Sequence, residues 1–304
     1  MTIQGLPRTL TPTPKAEFAI RIAAMPYKFE PTVHSRRFVF MGLLAFGCFG
    51  CGADQYQLRL KESAAYYKYL DNIEQNVAPK WFNGIVESLR VPKQFVQIPA
   101  PVPVKKEDGT EELPAVDPRQ PDFMNLVFPT AGLMGAWEAP FTVPLADGST
   151  EVCKGYIYVL SNYWSFPGDD ALKFGDQMVQ LVGDALEDPI PNDKLENPII
   201  ESHPKKGTYI PEATYSVFEF HPKAITLKTA EREAKVNYTF TMYRKMNNGD
   251  IQGIILLAIP ESVSSQEKIP ERTAMMLDHF QITRTPPKDK GASGPATTAP
   301  AAGF

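Results

Sequence analysis

Cys48 and Cys51 form a C-x-x-C, the spacing with which two thiolates hold one zinc ion or exchange a disulfide. Here the pair sits inside an apolar run with no second cysteine pair, so neither a metal nor a redox role is expected of it. Cys153 is the third cysteine; with no histidine near it in sequence it reads as a small buried hydrophobe rather than a nucleophile. The four histidines, His34, His203, His221 and His279, show no metal-ligand spacing among themselves. Glu138 beside Trp137 could be a carboxylate whose pKa an apolar neighbour raises, as a general acid requires, but the sequence places no second carboxylate with it. Trp137, Tyr156, Tyr158, Tyr163 and Trp164 are candidates for a platform on which a sugar or peptide stacks, although aromatics in strands serve more often as core. There is no G-x-S-x-G, H-E-x-x-H, Walker loop, calcium loop or G-x-G-x-x-G, and no cofactor is implied.

The surroundings of the two cysteines specify an address. Arg36-Arg37 precede an apolar run, and the stretch from Phe38 to Gly52 is 15 residues. A spanning helix needs about 20 apolar residues, so the run suits the core of an export signal better than a transmembrane segment. Leu44-Ala45-Phe46-Gly47-Cys48 resembles the lipobox of bacterial lipoprotein signals, in which small residues precede a cysteine that becomes the lipidated N-terminus. Cys48-Phe49-Gly50-Cys51 resembles it more loosely. The family places Leu three before the cysteine and a small residue two before it, where this chain has Ala45 and Phe46, so Cys48 and Cys51 both stand as lipidation candidates. The resemblance implies membrane attachment through a lipid anchor, with the rest of the chain in the cell envelope outside the cytoplasm. Two rival readings are an uncleaved anchor helix and, from Ser35-Arg36-Arg37, a partial resemblance to a twin-arginine export signal.

Ahead of this segment, residues 1–34 carry five prolines and no periodicity, and are expected to be a disordered extension. Residues 1–24 would alternatively be an over-extended start, with Met25 giving a leader of more usual length. Six of the 31 Lys and Arg and two of the 35 Asp and Glu lie before Cys48, which leaves 25 basic against 33 acidic residues, a net of −8 for the remainder. Nothing in that balance favours a phosphate-backbone partner, whose binding rests on clustered Lys and Arg, and no nucleic acid is expected.

Downstream, residues 53–78 are expected to form an amphipathic helix. Leu58, Ala65, Tyr66, Tyr69, Ile73 and Val77 recur at helical steps on one face. That face would pack on its own domain or, as a stalk, pair with another chain. Residues 79–285 form the domain proper, interrupted by Pro-rich loops near 99–121 and 188–211. Strands are expected at 93–98, 123–128, 136–143, 151–160, 213–221 and 224–228, with a turn at Asp147-Gly148. Asp169 or Asp170 can cap a helix over 171–186 whose inward stripe is Leu172, Met178, Leu181, Val182 and Ala185.

Asn248-Gly249 is the pair that a two-residue type I′ turn demands, which predicts a hairpin in which Met242 faces Ile255, Phe240 faces Leu257 and Tyr238 faces Ile259. Residues 251–259 are apolar on both faces, the mark of a central strand covered on each side. Pro270 can open a short helix with Ala274, Met275 and Leu277 inward, and 280–283 can add a closing strand. Residues 286–304 have the composition of a disordered tail.

These elements predict an α+β fold, a mostly antiparallel sheet with flanking helices in an αβα sandwich. The order of hairpin, short helix and last strand is similar to the PsbP/Mog1-like sandwich, by topology alone. The whole, with a cysteine-terminated signal, Tyr-rich helix and Pro-rich domain, resembles lipoproteins of planctomycete-type bacteria. The expected function is a lipid-anchored, non-enzymatic envelope domain that binds a protein, peptide or glycan. The alternative is an envelope hydrolase, which convergent titratable groups in a cleft would favour.

Overall fold

The computed structural model describes residues 53–106, 110–112, 114, 117–119, 130–145, 147–165, 168, 170–204, 209–223, 225–228, 233–246 and 248–287. The extension, the segment with Cys48 and Cys51, the strand expected at 123–128 and residues 288–304 of the tail lie outside them. The chain divides into two units, Met1–Leu60 and Lys61–Phe304. The described part of the first is the opening of helix α1 (Ala53–Asn76), where Tyr56, Leu58 and Leu60 are exposed.

In the second unit α1 continues and is buried only at its end. Ile73 and, just past the helix, Val77 are buried, whereas Tyr66 and Tyr67 are exposed. The expected apolar face is therefore buried over its last turns alone, while Tyr66 meets the Tyr209 ring edge-on at 4.9 Å. Tyr69 is half-buried with its ring 5.1 Å from that of Tyr209.

The strands in chain order are β1 (Val86–Ser88), β2 (Val96–Ile98), β3 (Val104–Lys105), β4 (Glu111–Glu112), β5 (Leu133–Pro144), β6 (Thr150–Ser161), β7 (Ile199–His203), β8 (Ala213–Phe220), β9 (Ile225–Lys228), β10 (Glu233–Val236), β11 (Tyr238–Lys245), β12 (Gly253–Pro260) and β13 (Gln281–Ile282). Seven of them make one sheet in the order β2-β5-β6-β12-β11-β8-β7, antiparallel throughout. Three ribbons stand apart, pairing β1 with β13, β9 with β10 and β3 with β4. The last of these lies within the Pro-rich excursion expected near 99–121.

The fully apolar strand β12 lies fourth of the seven, and its two faces match the two layers that cover it. Register pairs place Tyr158, Phe218, Phe240, Met242 and Leu256 on one face, and Trp137, Ile157, Tyr215, Ile255 and Leu257 on the other. Helix α2 (Phe174–Ala185) lies on the first face, held by an ion pair from Asp176 to Arg244 and a 2.7 Å bond from the Gly175 amide to Gln252 Oε1. A Cβ at residue 175 would stand 2.6 Å from the Arg244 Cδ, so glycine is what lets the helix come this close. After the five-residue helix α3 (Asn192–Glu196), helix α4 (Ile269–Asp278) covers the other face, where the Tyr215 hydroxyl donates to the Leu277 carbonyl at 2.7 Å. The class is α+β, with helices on both faces of an antiparallel sheet.

Several expectations are corrected. The β11–β12 register pairs Met242 with Leu256, Phe240 with Ala258 and Tyr238 with Pro260, one residue from the expected partners. The connection is not a two-residue turn: β11 ends at Lys245 and β12 begins at Gly253, and of the expected pair only Gly249 has positive φ, +70°. Asn248 is buried instead, its side chain donating to the carbonyls of Ile251 and Thr283 at 3.0 and 3.1 Å. The loop thus closes on a side chain rather than on turn geometry.

The stripe of α2 is turned from the expected one. Phe174, Met178, Val179 and Val182 are buried while Leu172 and Leu181 are exposed, because the first turn is a 3-10 segment (Ala171–Lys173) that resets the helical phase. Asp170 makes no side-chain cap there. In α4 the inward residues are Thr273, Met276 and Leu277, not Met275. The loop expected near 188–211 contains α3 and β7.

Candidate functional site

Strand β7 lies between Pro198 and Pro204, and its alternation puts Glu201 and His203 on the same sheet face as Tyr215, their neighbour on β8. The bond from Tyr215 to Leu277 satisfies one of the carbonyls that a helix leaves open at its C-terminus. It thereby holds the end of α4 over β7. Asp278, the last residue of α4, brings Oδ1 within 3.7 Å of His203 Nδ1, and Glu201 Oε2 lies 3.2 Å from Nε2.

The His203 side chain is only 5% exposed. Burial alone pulls its pKa down, but hydrogen bonding and charge from Asp278 and Glu201 outweigh this and raise it above the ordinary value. Burial and then the Asp278 charge push the Tyr215 phenol up. His279 is held the other way. Its Nδ1 meets the Met275 carbonyl at 2.7 Å, and burial lowers its pKa.

Beside this cluster the sheet and α4 enclose a cleft of about 600 Å3. Leu257 and Ile259 line it from the sheet, Thr241 and Thr273 add hydroxyls, and Glu201, Glu261 and Glu271 add carboxylates. Among the described residues neither Lys nor Arg lines it. Glu201 is shared with His203, which lines the same cleft, and the excess of carboxylates over basic groups gives the concavity a negative potential that draws in cations. No group of three or more His, Cys, Asp and Glu among the described residues is arranged to hold a metal.

The residues singled out from sequence are dispersed. Trp137 is buried on the α4 face, edge-on to Trp81 at 4.9 Å. Tyr156 and Tyr158 stack on each other at 5.9 Å on the α2 face, so the sheet itself separates them from Trp137. Tyr163 and Trp164 meet at 5.1 Å in a 3-10 turn after β6, with Trp164 exposed. The five do not form one platform.

Glu138 points away from Trp137, its strand neighbour, and pairs with Lys154 at 2.9 Å. Cys153 is buried, which pushes its thiol pKa up, with Glu151 adding to the effect. His221 is exposed. What sequence reasoning missed is His203. The Glu-x-His spacing was its only local signal, and it becomes meaningful once 199–203 is a strand.

No family model, curated protein or solved structure matches this chain.

Proposed function

We propose that this chain is a lipid-anchored envelope protein whose α+β domain is a binding module for a cationic ligand such as a basic peptide. The anchor rests on the sequence of residues 35–52. No helix among the described residues is long and apolar enough to cross a membrane. One acyl chain binds a bilayer only reversibly, at about 0.8 kcal/mol per buried methylene, so the several chains of a mature lipoprotein would make the attachment firm.

The binding half rests on one observation, the cleft lined by Glu201, Glu261 and Glu271 and, among the described residues, by neither Lys nor Arg, with His203 as its one basic side chain. His203 supports binding over catalysis. A histidine acting as general base needs one ring nitrogen for an orienting carboxylate and the other for a nucleophile, whereas His203 has a carboxylate on each.

Fatty-acid labelling of wild type, Cys48→Ser, Cys51→Ser and the double variant tests the anchor. Label is expected in the wild type and lost in the double variant, with Cys48→Ser the more damaging single change. Persisting label in the double variant would overturn it. Calorimetric titration with a lysine-rich and a glutamate-rich tetrapeptide tests the cleft. The basic peptide alone should bind, more weakly in salt and in Glu201→Gln or Glu271→Gln.

The convergence of Glu201, His203 and Asp278 beside a cleft favours a second reading, an envelope hydrolase. Turnover of ester or peptide substrates that His203→Gln abolishes, in a variant that still unfolds cooperatively, would favour it.

A further inference from the structure

A second cavity, of about 460 Å3, shares no lining residue with the cleft. It is formed where the end of β11 meets β1, β13 and the residues ahead of β8, and both Lys245 and Arg284 line it. Lys245 is the last residue of β11. Its Nζ donates to the carbonyl of Phe280 and lies 5.5 Å from the centre of the Phe280 ring. Glu87, Glu212 and Asp278 line the same cavity, yet among the described residues neither Lys245 nor Arg284 forms an ion pair. Two cations therefore face one small concavity with their charges uncompensated at contact distance.

We propose that Lys245 is a covalent site for small 2-oxoacids, its Nζ forming an imine at the keto carbon while the Arg284 guanidinium takes the carboxylate. The ligand class follows from the pair. A planar guanidinium recognises a carboxylate through two parallel N–H bonds, and an amine beside it reaches the adjacent carbonyl carbon. A volume of this size admits a ligand of a few heavy atoms.

In the reaction the neutral amine attacks the keto carbon, forming the C–N bond as the carbonyl π pair moves to oxygen. That oxygen is protonated, the C–O bond breaks, and water leaves as the imine forms. Nothing is oxidised or reduced. The unprotonated amine is accessible because burial, with the Arg284 charge, lowers the Lys245 pKa to about 8, against a smaller opposing pull from Glu87. At pH 7.4 such an amine is about one-fifth neutral, against about one-thousandth for an ordinary lysine. The charged groups around it are Arg284 beyond β13, Glu87 on β1, Asp278 at the end of α4 and Glu212 ahead of β8.

The test is reductive trapping of the full chain with pyruvate and cyanoborohydride, followed by peptide mapping. Lys245 is expected to carry the adduct at least about tenfold in preference to the other lysines, with a rate that rises through pH 8 rather than pH 10.5. Arg284→Gln should reduce labelling by pyruvate more than labelling by propanal, which has no carboxylate and is slowed only because the Lys245 pKa rises when the Arg284 charge is removed. Even labelling over all lysines would overturn the proposal. So would pyruvate labelling at Lys245 that ignores Arg284→Gln, or a wild type in which Lys245 stays unmodified because its amine only ties β11 to the Phe280 carbonyl.

Discussion

His203 on β7 and Asp278 at the end of α4 stand 3.7 Å apart, Nδ1 to Oδ1, with Glu201 at 3.2 Å on the opposite ring nitrogen. The raised pKa of His203 makes this arrangement a pH-dependent source of stability. A group whose pKa is raised on folding contributes fully below its unfolded value, about 6.5 for histidine, and the contribution is lost as pH rises through the folded value. The stability gap between wild type and His203→Gln should therefore be larger at pH 6 than at pH 9. Urea midpoints measured at both values check this, and an equal gap would mean that the carboxylates do not retain the proton.

Gly132 and Gly249 share a φ of +70° and differ in their surroundings. A Cβ at 132 would lie 2.1 Å from the Ser161 carbonyl oxygen, whereas one at 249 meets nothing within 4 Å. Gly249→Ala should cost about 1 kcal/mol, the conformational penalty alone. Gly132→Ala should cost about 3 kcal/mol or more, because two stretches of backbone must separate. Denaturant unfolding of the pair separates strain from collision.

Asn248→Ala should destabilise the fold by about 2 kcal/mol, since it leaves two carbonyls without their donor. Asn248→Asp should cost more, because a carboxylate would face the Ile251 and Thr283 oxygens. If both variants unfold at the wild-type midpoint, the side chain does not close the loop.

Met276 is fully buried and Met275 only partly so. Met276→Ala should cost about 2–5 kcal/mol, and Met275→Ala less than about 1 kcal/mol. Equal costs, read as shifts of the thermal midpoint, would mean that α4 is rotated about its axis.

The elements themselves were legible in sequence wherever one local period governed them. Helix α1 was expected at 53–78 and spans Ala53–Asn76; the strand expected at 136–143 lies within β5 (Leu133–Pro144); and most of the apolar run at 251–259 falls in β12 (Gly253–Pro260), the middle strand of the sheet. Register was not legible, because β12 is apolar on both faces. A slip of one residue exchanges Ile254, Leu256 and Ala258 for Ile255, Leu257 and Ile259 without exposing a polar side chain to the core. The observed register goes with tertiary contacts: β12 pairs with β6 on its other edge, and Asn248 bonds to Thr283, from a part of the chain that no local pattern connects to the turn. The site was hidden for the same reason. Glu201 and His203 are neighbours on one strand, but Asp278 arrives from the far end of the domain, and the Tyr215 bond to Leu277 determines that it does. Alternation and helical period act over a few residues and can be read along the chain. The meeting of a carboxylate, an imidazole and a cleft depends on which helix end docks on which strand, and only the packed structure decides that.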